Sequence, residues 1–109
     1  MVISHNNVWP WGKTSTLVWD DGSALVTLSF EDNNPGVCYL SGLSVVPAQR
    51  QKGRARQLME LAIRTCRSSN IFRIDLRSVK EPFVLEFYRS LGFIELGERE
   101  GFIDMYMLL

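Results

Sequence analysis

The stretch Leu43-Ser44-Val45-Val46-Pro47-Ala48-Gln49-Arg50-Gln51-Lys52-Gly53-Arg54-Ala55 passes from an apolar run, through a proline and a cluster of cations, into an amphipathic segment. It reads as a strand end, a loop and a helix start. The strand extends back to Val37, and Pro47 stops its pairing because proline has no N–H to donate. Gly42 inside the run marks a bulge or a close backbone approach. From Arg54 to Ser68 the apolar residues Ala55, Leu58, Met59, Ala62 and Cys66 recur on one helical face, with Glu60 and Arg64 as an i, i+4 pair outside it. Gly53 lets the backbone approach a ligand, and small Ala55 keeps the first turn uncluttered. The N–H groups of a helix start, together with the helix dipole, form an anion site, and Arg50, Lys52 and Arg54 add positive charge around it. A phosphate or pyrophosphate fits there. The same residues also allow a plainer reading, in which Gly53 makes a tight turn and the cationic side chains are solvated.

Charge favours the first reading without deciding it. Twelve Lys plus Arg balance twelve Asp plus Glu in the whole chain, so the overall charge is not that of a nucleic-acid binder. The balance hides a segregation. Residues 50–80 hold nine basic residues (Arg50, Lys52, Arg54, Arg56, Arg64, Arg67, Arg73, Arg77, Lys80) and two acids (Glu60, Asp75). A segment so biased points to an anionic ligand.

On the N-terminal side, Ser15–Trp19 and Ala24–Phe30 flank Asp20-Asp21-Gly22-Ser23 and read as a hairpin, with Val26, Leu28 and Phe30 on its buried face. A polar loop, Glu31 to Gly36, leads into the strand from Val37. Residues 1–14 read as a loose segment. On the C-terminal side, Ile71–Arg77 alternates, with Phe72, Ile74 and Leu76 on one face and Arg73, Asp75 and Arg77 on the other. Pro82 suits the first position of a helix with face Phe83, Val84, Phe87, Tyr88 and Leu91, and Gly92 suits its C-terminal cap. A hairpin, Phe93–Gly97 and Phe102–Leu108, ends the chain. The order predicts an α+β fold: a mixed central β-sheet with antiparallel N-terminal strands and a central right-handed β-α-β crossover.

A chain of 109 residues suffices for one domain with one core. No stretch approaches the roughly 18 apolar residues of a membrane-spanning helix, and MVISHNNVWPWGK lacks the order of a signal peptide. Cys38 and Cys66 have no partners at metal-ligand spacing, which argues against a metal site, and two such cysteines fit buried thiols in a reducing, cytoplasmic setting. The sole histidine, His5, is poorly placed for a nucleophilic triad.

Two segments carry a resemblance. Arg50-Gln51-Lys52-Gly53-Arg54-Ala55 is similar to the pyrophosphate-cradling pattern of the GNAT superfamily of N-acetyltransferases: Arg or Gln, two residues, Gly, one residue, then Gly or Ala. Phe87-Tyr88-Arg89-Ser90-Leu91-Gly92-Phe93 resembles that family's second motif, an aromatic-Tyr-x-x-x-Gly-Phe helix end. Both stand in the expected order, with one strand between them, and the resemblance covers Val37 to Leu109. It implies an acyl-CoA N-acyltransferase-like fold and acetyl-CoA as acyl donor. It further implies that backbone groups of Leu43 and Val45 meet the pantetheine arm, that the amides of Gln51, Lys52, Gly53, Arg54 and Ala55 hold the pyrophosphate behind Arg50, and that Tyr88 is the general acid. The acceptor is then a primary amine of a small molecule, peptide or protein, attacked without a covalent enzyme intermediate. A CoA-binding module without catalysis is the alternative.

The chain also departs from the family pattern. Only about 14 residues stand where a strand and two acceptor-shaping helices are usual. No carboxylate occurs in Val37–Val46 to serve as base, leaving water or Glu31, Asp32 or Asp75, and Glu81 replaces a usual Asn. Trp9, Trp11 and Trp19 are expected to cover a sheet edge or to form a homodimer contact.

Overall fold

A computed structural model of the protein describes residues 1–45 and 53–109. The element order is β1 (Val2–Trp9), β2 (Gly12–Trp19), β3 (Ala24–Glu31), β4 (Val37–Val45), α1 (Arg54–Ser68), β5 (Arg73–Val79), α2 (Pro82–Leu91), β6 (Ile94–Arg99) and β7 (Phe102–Leu108). The seven strands form one sheet in the order β1-β2-β3-β4-β5-β7-β6. All neighbours are antiparallel except β4 and β5, which run parallel around the intervening α1. The α+β class and the mixed sheet are those the sequence predicts.

Alternation explains the layering. Leu17, Val26, Leu28, Cys38, Leu40, Ile74, Leu76, Ile103, Met105 and Met107 occupy one face of the sheet and are buried. Against them α1 sets Leu58, Met59, Ala62, Ile63 and Cys66, and α2 sets Leu85 and Tyr88, in a single core. Both helices therefore cover the same face. The other face carries Thr14, Thr16, Thr27, Ser29, Tyr39, Arg73, Asp75, Arg77, Asp104 and Tyr106, and among the described residues no helix lies over it. Its charges are paired in place: Arg73 with Asp75 at 2.5 Å, and Arg77 with Asp104 at 3.2 Å. Cys38 and Cys66 are free thiols inside the core, and their mutual hydrogen bond, together with burial, pushes the Cys38 thiol up.

Three expectations are corrected. The N-terminal segment is not loose: Val2–Trp9 is strand β1, joined to β2 by the turn Pro10-Trp11 and paired along its whole length from Val2↔Trp19 to Trp9↔Gly12. Phe72 precedes β5 and is exposed; its ring lies so close over Gly36 that a Cβ there would come within 2.5 Å of it. In α2 the core residue is Leu85, one turn before Tyr88, whereas Phe83 is 73% exposed.

Of the two readings of Gly42, a bulge or a close backbone approach, the structure shows the bulge. Leu25 pairs with Ser44 but Thr27 with Ser41, so β4 has one residue more than β3 across this step. Gly42 has φ +66° and nothing within 4 Å of where a Cβ would stand, so backbone conformation rather than crowding calls for glycine. Pairing of β4 with β5 runs from Val37↔Arg73 to Leu40↔Leu76 and ends before the bulge. Beyond Leu40 the two parallel strands separate.

Leu28 is fully buried at the centre of the core. Leu28→Ala should lower unfolding stability by about 2–5 kcal/mol through lost burial and the cavity left behind. A lowered urea midpoint with unchanged denaturant slope checks this.

Candidate active site

The separation of β4 from β5 opens a cleft of about 640 Å³ on the helical side. Its walls are Leu43, Ser44 and Val45 of β4, Gly53 to Arg56 at the start of α1, and Phe83, Val84, Phe87 and Tyr88 of α2. That volume is within the usual range for small-molecule sites, about 300–1,000 Å³. Of the residues singled out in the sequence, Leu43, Val45, Gly53, Arg54, Ala55 and Tyr88 converge here. Arg50, Gln51 and Lys52 lie outside the described residues.

The start of α1 follows a left-handed glycine. Gly53 has φ +77°, and a Cβ there would meet nothing within 4 Å. The first helical bond runs from the Gln57 N–H to the Gly53 carbonyl at 2.9 Å, and no described side chain caps the helix. The N–H groups of Arg54, Ala55 and Arg56 are the donors a helix start leaves without intrahelical acceptors, beside the partial positive charge of its dipole. This arrangement fits a pyrophosphate, and the apolar walls fit an uncharged arm beyond it.

The Arg54 side chain does something other than expected. Its guanidinium donates to Asp21 Oδ2 at 3.0 Å and to Ser23 Oγ at 2.6 Å, and lies 4.5 Å from the centre of the Trp19 ring. It thus ties the start of α1 to the β2–β3 turn, and its charge is met inside the protein. Hydrogen bonds from Ser23, and then the Arg54 cation, hold the Asp21 carboxyl well below the usual carboxylate range, at about 2. The guanidinium is thus already engaged at the β2–β3 turn.

Tyr88 is 8% exposed and packs edge-on against Phe87 and Phe93, with ring centres 5.4 and 5.8 Å away. Burial raises its pKa above the ordinary tyrosine value, so the phenol keeps its proton through neutral pH. Tyr88 is one of the residues that line the cleft. No carboxylate lines the cleft among those residues. Asp75 is held by Arg73 on the opposite sheet face, while Glu31 and Asp32 lie at the far end of β3.

Phe83, Phe87 and Arg56 line the cleft but were not singled out as site residues. The usable signal was the breadth of the apolar stripe of α2, which is wider than one sheet face can cover. Arg56 donates to Ser90 Oγ at 2.6 Å and bridges to a second groove, of about 400 Å³, that also receives Glu60, Arg64 and Arg67. Glu60 and Arg64 form no ion pair there, contrary to their helical spacing.

Residues 5–93 match the model of the acetyltransferase (GNAT) family. The chain belongs to this family. No curated protein matches it by sequence. Its fold is similar to a Bacillus subtilis acetyltransferase solved with CoA, at 17% identity and a TM-score of 0.73, covering 90% of this chain and 77% of that one. It is also similar to the PaiA N-acetyltransferase of Thermoplasma acidophilum solved with coenzyme A, at 15% identity and 0.76, covering 88% and 60%. A third similar structure is the ribosomal-protein-S18-alanine N-acetyltransferase of Escherichia coli, at 18% identity and 0.74, covering 92% and 70%. The chain thus spans 60–77% of the length of these structures. No described helix is long and apolar enough to cross a membrane, and no described cluster of His, Cys, Asp or Glu is suited to a metal ion.

The Asp21 arrangement has a measurable signature. Its folded pKa lies below its unfolded one, so its stabilising contribution is complete above about pH 4 and is lost as pH falls towards 2. Carboxyl NMR should place its midpoint near 2. Arg54→Gln should raise that midpoint only part of the way, since Ser23 contributes more than Arg54.

Proposed function

We propose that the protein is an acyl-CoA-dependent N-acyltransferase that moves an acetyl group from acetyl-CoA to a primary amine. The observation that carries this reading is the meeting, in one cleft, of the end of β4, the uncapped start of α1 and a protonated tyrosine, in a chain of the acetyltransferase (GNAT) family. Leu43 and Val45 flank the pantetheine arm. Backbone amides from Gln51 to Ala55 hold the pyrophosphate, with Arg50 and Lys52 supplying the charge that Arg54 spends on Asp21.

The acceptor nitrogen attacks the thioester carbonyl, the new C–N bond forms, and the C–S bond breaks. Tyr88 donates its phenolic proton to the departing sulfur and is reprotonated from solvent. The excess proton on nitrogen leaves to water, because no described carboxylate reaches the cleft. Direct transfer within a ternary complex suits a chain whose two thiols are both buried in the core, outside the cleft lining.

Tyr88→Phe should lower kcat by about 10²–10⁴ with little change in acetyl-CoA binding, the size expected for loss of a general acid. The pH dependence is a second test of the same roles. Activity should rise with pH as the acceptor amine loses its own proton, and fall only once Tyr88 ionises, above the ordinary tyrosine value of about 10. An unchanged profile in Tyr88→Phe removes the tyrosine from the mechanism.

Cofactor binding is separable from turnover by calorimetry with CoA and acetyl-CoA. Asn and Asp both tolerate a positive φ and have nearly the same shape, so Gly53→Asn and Gly53→Asp differ chiefly in charge beside the helix start. The Asp variant should bind CoA at least tenfold more weakly than the Asn variant, about 1.4 kcal/mol or more. Tight binding without turnover on any amine would instead identify a CoA-binding module without catalysis.

A further inference from the structure

The two edges of the sheet are treated very differently. The β6 edge is six residues long, its pairing with β7 shifts register between Glu95 and Gly97, and Glu95, Glu98 and Arg99 guard it with charge. Short length, a bulge and charged side chains are the usual protections against further pairing. The β1 edge has none of them. Val2-Ile3-Ser4-His5-Asn6-Asn7-Val8-Trp9 contains no Asp, Glu, Lys, Arg or Pro, and it pairs with β2 over eight consecutive residues without a shift.

The direction of its hydrogen bonds follows from the register. The Asp20 N–H donates to the Met1 carbonyl at 2.9 Å, and antiparallel bonding alternates along a strand. Ile3, His5, Asn7 and Trp9 therefore direct their backbone groups at β2. Val2, Ser4, Asn6 and Val8 direct theirs outward, where the described residues supply no further strand.

We propose that β1 is a self-pairing edge, and that two copies of the chain join β1 to β1 in antiparallel fashion about a two-fold axis at Asn6. A strand without fixed charge meets its own copy without repulsion, which sets it apart from β6. In this register Asn6 faces Asn6 of the second copy, and Ser4 faces Val8. Each of these bonded pairs exchanges two backbone hydrogen bonds. On the open face of the sheet, Ile3 then lies against Trp9 of the second copy, and His5 against Asn7. Ile3 and Trp9 are 42% and 45% exposed, and Trp9 is held by stacking on Trp11 and by its Nε1 donating to Thr14 Oγ1 at 3.0 Å. Pairing thus covers an aliphatic and an aromatic side chain on each copy. A shift of the axis to His5 would face His5 with His5 and leave Ile3 against Asn7.

The test uses light scattering and sedimentation over a wide concentration range. The wild-type mass should rise from 12.5 kDa to twice that value. Asn6→Pro deletes an outward N–H that β2 does not use, and Asn6→Lys sets like charges face to face. Both should stay monomeric with unchanged circular dichroism and, at dilutions where the wild type is itself monomeric, an unchanged melting temperature, whereas His5→Pro, which deletes a bond to β2, should lower the melting temperature. The double variant Ile3→Cys, Trp9→Cys should cross-link into covalent dimers under mild oxidation, and neither single variant should. A wild type that stays monomeric at every concentration overturns the proposal. So does a dimer that survives both Asn6 variants, or one in which the double variant fails to cross-link.

Discussion

The parting of β4 from β5 is the constraint on which the rest of the molecule depends. Parallel strands normally continue their ladder as far as both extend, but here it stops at Leu40↔Leu76 while β4 runs on to Val45. The extra residue at Gly42 bends β4 while its pairing with β3 resumes at Leu25↔Ser44. Because the bulge is absorbed on the β3 side, the β5 side of Leu43–Val45 faces a cleft instead of another strand. The start of α1 and one flank of α2 close the other walls. A straight β4 would extend the ladder, and the same residues would then be sheet interior.

A one-sided sheet places strict demands on its open face. Arg73, Asp75, Arg77 and Asp104 stand there half-buried, in mutual pairs, with Arg73 over Tyr106 and Arg77 over Phe102. Such pairs add little net stability, since desolvation offsets much of the attraction. Their effect is to keep a flat sheet surface wet and resistant to indiscriminate association. Stability comes from the helical side, where every strand from β2 to β7 except β6 contributes buried apolar residues. That distribution also explains why α2 has apolar surface to spare. Leu85 and Tyr88 satisfy the core, and Phe83, Val84 and Phe87 turn to the cleft.

Much of this was legible from residue order. Period-two alternation marks β5, β-branched and aromatic composition marks β3, a clean helical stripe marks α1, and Pro82 with Gly92 frames α2. At Gly42 the sequence offers a bulge or a close backbone approach, and the register step with no neighbour near its Cβ position favours the bulge. What escaped has a common cause. An edge strand exposed on both faces has no alternation to read, so β1 looked like a loose segment. Phe72 has the right parity for the core but lies outside β5, where parity no longer sets direction. The helical face of α2 was correct as a stripe, but a stripe does not say which of its margins meets the sheet.

Arg54 shows why charge in a sequence is a weaker guide than backbone conformation. A cation at a helix start beside a glycine suggests a phosphate ligand, yet this one is consumed by Asp21, thirty-three positions earlier. The bond across that distance is set by the β2–β3 turn, which no local pattern joins to residue 54. What the cleft keeps are the main-chain N–H groups and the left-handed turn at Gly53, and these follow from the glycine itself. A partly exposed ion pair joins the first residue of α1 to the β2–β3 hairpin, beside those N–H groups. In the function proposed above, Arg54 serves an anion through the position of its backbone, and the long-range Coulomb attraction falls to cations other than the one paired with Asp21.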